Sequence, residues 1–174
     1  DESGRGKTEG IEHKDKEVRL FRKSRTSDKS PIGRKAQTMT RVIMLGASGH
    51  VGTYLVPRMV EAGYEVVAVS RGQREPYQPH SAWKQVRQVT IDRTAAETAG
   101  TFGAQIRDLK PDVVVDMICF TLDSAQQLAE ALLGQVQHFL HCGTVWVHGP
   151  SVQIPTTEAQ PRTPFGEYGI QKAA

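Results

Sequence analysis

Cysteine is scarce in this chain, aromatic residues are few, and long hydrophobic runs are missing. Two cysteines among 174 residues, Cys119 and Cys142, cannot build a disulfide framework and lack the paired spacing of a zinc site. Both sit in apolar runs that read as strands, which predicts reduced core thiols in a cytoplasmic protein. No apolar stretch approaches the roughly 18 residues of a membrane helix, and no signal-peptide pattern opens the chain. Excess charge is small as well, a net +3, but it is unevenly placed. Residues 1–40 carry 11 Lys and Arg against 7 Asp and Glu, whereas residues 41–174 carry 11 against 12. The basic front end is also poor in hydrophobic residues beyond Ile11, Val18, Leu20, Phe21 and Ile32. It shows neither a helical nor a strand period, so it cannot bury enough surface to offset its ordering entropy. Residues 1–40 are therefore expected to be a disordered or non-native extension, with Met39 a candidate true start.

From Arg41 the texture changes. Val42-Ile43-Met44-Leu45 is a short, wholly apolar run that ends in glycine, the pattern of a strand buried on both faces. Similar runs follow at 66–69, at 113–115 extending to Met117-Ile118, and at Phe139-Leu140, with a weaker one over 86–91. Helical segments are predicted over 50–62 (closed by Gly63 and interrupted by Pro57), 94–109 and 122–133. The Pro-rich stretch 72–83 predicts a loop with at most a short helix. Strand alternating with helix predicts an α/β fold, a Rossmann-type doubly wound parallel sheet ordered 3-2-1-4-5 over residues 41–174.

The sharpest local signal is Gly46-Ala47-Ser48-Gly49-His50-Val51-Gly52, directly after a strand and opening a helix. Glycines at these places let the turn tighten, let backbone N–H groups approach a pyrophosphate, and let the helix pack on the sheet. With a strand before, a helix after and a second strand beyond, the pattern predicts dinucleotide binding by Gly46, Ser48, Gly49, His50, Val51 and Gly52. The end of the second strand reads the cofactor's ribose. An acid there would accept hydrogen bonds from the hydroxyls of NAD, but this chain has Ser70-Arg71. Arginine pairs with a 2′-phosphate, which favours NADP over NAD.

Tyr168 and Lys172 form a Tyr-x-x-x-Lys pair that shares one face if it lies on a helix. A free phenol ionises near pH 10, and an adjacent ammonium favours its ionised form. Upstream lies Cys142-Gly143-Thr144-Val145-Trp146-Val147-His148-Gly149, and Pro155, Glu158, Pro161 and Pro164 lead from it to Tyr168. In their order and setting, the glycine loop with two residues between its first glycines, this strand end and the Tyr–Lys pair resemble the extended short-chain dehydrogenase/reductase superfamily. The particular likeness is to its NAD-dependent epimerase/dehydratase family, over residues 41–172.

That resemblance implies an NAD(P)-dependent epimerase, dehydratase or reductase, an isomerase or oxidoreductase acting on a small molecule, with nucleotide-sugars the leading class. It places Thr144 where the family keeps a catalytic hydroxyl, makes Tyr168 the proton-transfer group, gives Lys172 the cofactor ribose as well as the phenol, and sets Asp92 near the adenine. Asp92 also reads as a helix N-terminal carboxylate. The chain departs from the family's pattern at His148, where tyrosine is usual, at Cys142-Gly143, in place of serines, and at Asp116, often a histidine. By the same resemblance the chain is a fragment without a C-terminal substrate domain, and the longer protein is a homodimer. His138, His141 and Cys142 lie close in sequence, but a strand would point 138 and 141 to opposite faces, so no metal is expected. Trp83 and Trp146 are assigned to packing, with Trp146 a candidate wall of the pocket. The competing class is an RNA-binding protein of the same fold, supported by the basic front end and opposed by the slightly acidic remainder.

Overall fold

The computed structural model describes residues 39–151 and 153–174. The expectation for residues 1–38 lies outside them. At the start of the described chain, the Thr40 carbonyl accepts a hydrogen bond from Glu65 N at 3.1 Å. Five strands form one parallel sheet: β1 (Arg41–Leu45), β2 (Glu65–Ser70), β3 (Arg87–Thr90), β4 (Val113–Asp116) and β5 (His138–His141), in the order β3-β2-β1-β4-β5. All four ladders are parallel, with Met44 opposite Ala68 on one side of β1 and opposite Val115 on the other. Alternation along the strands splits the core in two. Ile43, Leu45, Val67, Val69 and Val114 meet Phe102, Ile106, Leu128 and Leu132 on one face. Val42, Met44, Val66, Ala68 and Val115 meet Val56 on the other, with Trp83 packed against them. Each such side chain contributes roughly 1.5–3 kcal/mol on leaving water, which is why a run apolar at every position selects a central strand.

Helix α1 (His50–Glu61) follows β1 and closes at Gly63, whose φ of +87° suits glycine alone, while Tyr64 N bonds back to Met59 O. The crossover to β3 is a loop with a 3-10 turn at Ser81–Gln85, as its prolines imply. That loop is pinned to α1 by Tyr77 N donating to Thr53 Oγ1 at 3.2 Å and by the ring contact of His50 with Tyr77.

Three expectations need correction. The helix expected over 94–109 is two, α2 (Arg93–Thr98) and α3 (Phe102–Asp108), because Gly100 turns with φ +66° and Thr101 N bonds Ala96 O. Strand β4 stops at Asp116: Met117 N makes a last bond to Leu45 O at 3.2 Å, and the Asp116 carboxylate then takes the Ile118 N–H and turns the chain away. The cysteines follow strands instead of lying in them: Cys119 is buried after β4, and Cys142 is only half-buried after β5. Helices α4 (Leu122–Leu132) and α5 (Gly166–Ala173) complete the described chain, in which no helix is long and apolar enough to cross a membrane.

Candidate active site

The Gly46–Gly52 loop leaves β1 at the point where the strand order reverses between β1 and β4. Gly46 N bonds Val69 O at 3.1 Å, and its φ of +85° and its position against Ile118 both require glycine; a Cβ there would stand 2.6 Å from Ile118 Cγ2. Gly52 has no room for a Cβ either, since one would lie 2.2 Å from Ala47 O, so α1 sits directly on the loop. Gly49 caps α1 without any side-chain hydrogen bond, and no acid stands in the first turn. The amide end of the helix is thereby left for an external anion, which the helix dipole favours.

A cleft of about 350 Å3 opens beside this loop. Of the residues singled out in the sequence, Gly46, Ser48, Gly49, Ser70, Arg71 and Asp92 line it; His50, Val51, Gly52, Thr144, Tyr168 and Lys172 do not. His50 is exposed beside Tyr54 and Tyr77, and Gly52 is buried within α1 against the Ala47 backbone. Asp92 lines the cleft and caps α2 by accepting Ala95 N at 3.0 Å. Cleft residues that sequence reasoning missed include Arg74, Arg93, Ile118 and Phe120. For Arg74 a signal existed in Arg71-Gly72-Gln73-Arg74, two exposed cations around a glycine whose φ is +69°. The cleft's size, its glycine cradle and its three arginines, Arg71, Arg74 and Arg93, suit an anionic ligand.

Tyr168 and Lys172 lie on α5, and both meet Phe120, a cleft residue. The Tyr168 ring is 6.3 Å from that of Phe120 and 6.2 Å from that of Trp146, and Lys172 Nζ stands 5.5 Å from the Phe120 centroid. Lys172 Nζ donates to two backbone carbonyls, Cys142 O at 2.7 Å and Cys119 O at 2.5 Å. Thr144 caps a 3-10 turn, Val145–His148, by accepting Trp146 N at 3.3 Å. That turn is drawn against α5 at Gly169, where a Cβ would approach Trp146 O to 3.0 Å. Trp83 is half-buried in the core, whereas Trp146 is exposed beside Tyr168.

Beneath the cleft, Asp116 is fully buried and its two oxygens each accept from Arg93 Nη1 at 2.9 Å. Burial works against the Arg93 charge, but Asp116 and the hydrogen bond to Glu97 outweigh it and raise the guanidinium above its ordinary range. Burial also pushes the Cys119 thiol up, against the pull of Arg93. It lowers the His141 imidazole, and the Lys172 charge lowers it further. Asp116, Cys119 and His141 bring their ligating atoms within 4.8 Å of one another, a grouping other than the His138, His141 and Cys142 set considered from the sequence. The Asp116 carboxylate in this trio is already engaged by Arg93.

Comparisons with known proteins bear on the fold and the family. The chain is 34% identical over 134 residues to 2'-dehydrokanamycin reductase of Streptomyces kanamyceticus, covering 77% of itself and 36% of that protein. Its fold matches UDP-glucose 4-epimerase from Bifidobacterium longum, in complex with NAD+ and UDP, with a TM-score of 0.63 at 17% identity, over 76% of this chain and 46% of that one. It matches the Bordetella bronchiseptica enzyme WbmG, in complex with NAD, with a TM-score of 0.61 at 18% identity, over 80% and 48%. The chain thus spans about a third of the curated relative and just under half of these structures. Residues 42–174 match the model of one family throughout, and with the parallel sheet, the glycine loop at its switch point and the cleft beside it, the chain belongs to the NAD dependent epimerase/dehydratase family.

Proposed function

We propose that this chain is the cofactor-binding and proton-transfer part of an NADP-preferring enzyme that interconverts a secondary alcohol and a ketone on a sugar-like ring. A nucleotide-sugar is the leading substrate class, from the family likeness. The curated relative, named as a 2'-dehydrokanamycin reductase, supports a reduction on a different carrier. The observation that carries the reading is the meeting of Tyr168 and Lys172 on Phe120, a residue of the cleft wall.

The glycine loop and the open end of α1 would hold the pyrophosphate, Ser70, Arg71 and Arg74 the adenosine ribose with its 2′-phosphate, and Asp92 the adenine side. When bound, the nicotinamide supplies or accepts hydride. The protein's share is proton control. Tyr168 gives or takes the proton of the substrate oxygen, and Lys172 would hold the cofactor ribose. Thr144 Oγ1 already accepts the Trp146 amide, so its own hydrogen is left to donate to the same substrate oxygen. In the complete protein, Tyr168→Phe should lower turnover at least about a hundredfold, the lower end for a general acid–base group, while NADPH still binds. Retained turnover would overturn the assignment of Tyr168, and a loss of NADPH binding would reassign it to the cofactor.

A further inference from the structure

Between the cleft and Lys172 runs a buried polar chain that the scheme above leaves unused. Asp116 ends β4, and Oδ1, besides taking Arg93 Nη1, accepts Ile118 N at 3.1 Å. Arg93 lines the cleft, stacks 5.0 Å from the Phe102 centroid, and donates through Nε to Glu97 Oε1 at 2.6 Å; Glu97 Oε2 is held in turn by Ser124 Oγ at 2.6 Å. The guanidinium is therefore fixed from α2, from α4 and from the end of β4. What Asp116 fixes is the turn that follows it. Within four residues that turn presents Ile118 to the cleft and against Gly46, offers the Cys119 carbonyl to Lys172, and sets Phe120 between the cleft, Lys172 and Tyr168.

A buried ion pair is a poor device for stability, because desolvation offsets most of its attraction and apolar replacements are often neutral. Asp116 stands where the strand Val113-Val114-Val115 would otherwise continue with another apolar residue. We propose that Asp116 and Arg93 are positioning residues, which set the Met117–Phe120 turn and through it both the nicotinamide end of the cleft and the anchor of Lys172. The inference rests on the dinucleotide reading of the cleft and adds a division of labour within it. The adenine end depends on Arg71 and the glycine loop, and the nicotinamide end on a pair of which Arg93 lines the cleft while Asp116, fully buried, acts on it only through Arg93 and the turn.

The test compares NADPH with 2′,5′-ADP, which carries only the adenine half, by calorimetric titration of the complete protein. Asp116→Asn and Arg93→Lys are the variants; lysine keeps the charge but loses the fork that engages Asp116 and Glu97 together. Leu128→Ala, a core change on the same face of the sheet, is the control for loss of stability alone. Asp116→Asn and Arg93→Lys should each weaken NADPH by about tenfold, within the range of indirect coupling, and leave 2′,5′-ADP within about twofold. The shift of NADPH emission on binding should shrink in both, and Leu128→Ala should leave the ratio of the two affinities unchanged. Equal losses for both ligands, no loss for either, or the same change of ratio in Leu128→Ala would overturn the proposal. If the unaltered protein binds neither NADPH, NADH nor 2′,5′-ADP, the dinucleotide reading falls first and takes this one with it.

Discussion

Arg71 and Arg74 stand three residues apart in the lining of the cleft, both exposed, and a 2′-phosphate is the part of NADP that would gather them. A charge-assisted hydrogen bond contributes about 1.5–3 kcal/mol, so Arg71→Ala should cost NADP roughly tenfold or more in affinity and NAD little. Equal affinity of the unaltered protein for NADP and NAD would refute the preference. The two thiols should also separate chemically. Cys119 is buried and its pKa is raised, first by burial, so it holds little thiolate; Cys142 is half-buried. Maleimide should therefore label Cys142 well before Cys119, with mass mapping as the readout. His141 makes a third case. Burial and then Lys172 depress its folded pKa, so as pH falls below about 6.5 the unfolded chain takes up the proton first and stability declines until the folded value is passed. Melting temperature should drop on acidification through that window, and His141→Gln should flatten part of the drop; an unchanged slope would count against it.

At the scale of elements, strength of local pattern decided what was legible before the fold was known. The strands at 41–45 and 65–70 are apolar at nearly every position, and the glycine loop confines its meaning to seven residues, so both were readable. The break between α2 and α3 was hidden because Ala-rich, helix-favouring residues flank Gly100, and only the tertiary packing of Phe102 and Ile106 makes the turn worthwhile. Asp116 and Arg93 were legible only as isolated charges, since they are 23 residues apart and no period links them. A clue did exist. A cation at the first position of a helix opposes the helix dipole, which asks for a compensating partner such as Asp116 or Glu97. Helix α1 offers the element-scale prediction. Because a Cβ at Gly52 would collide with the Ala47 backbone, Gly52→Ala should destabilise by about 1–3 kcal/mol, as overpacking does, and weaken dinucleotide binding with it. Chemical denaturation that shows no change would mean that the loop yields more easily than its packing implies.

For the whole molecule, the choice between an enzyme and an RNA-binding relative of the same fold turns on charge distribution. The cations in excess lie in residues 1–40. If the chain binds RNA, gel shifts should weaken steeply with salt and vanish when residues 1–38 are removed; no shift at low salt in the intact chain would leave the enzyme reading alone. Lys172 carries a last consequence. Strand β5 has β4 as its neighbour at one edge of the sheet, and its residues are mostly exposed. By holding Cys119 O and Cys142 O together, the Lys172 ammonium acts as a clasp between the two strand ends just where that edge is thinnest. Local opening of β5 then requires release of the same lysine that anchors the Cys119 carbonyl. Amide exchange over 138–142 should accelerate in Lys172→Met far more than in β1, so fraying of the edge and loss of the Lys172 anchor become one event, and the sheet edge serves as a built-in fuse for that anchor.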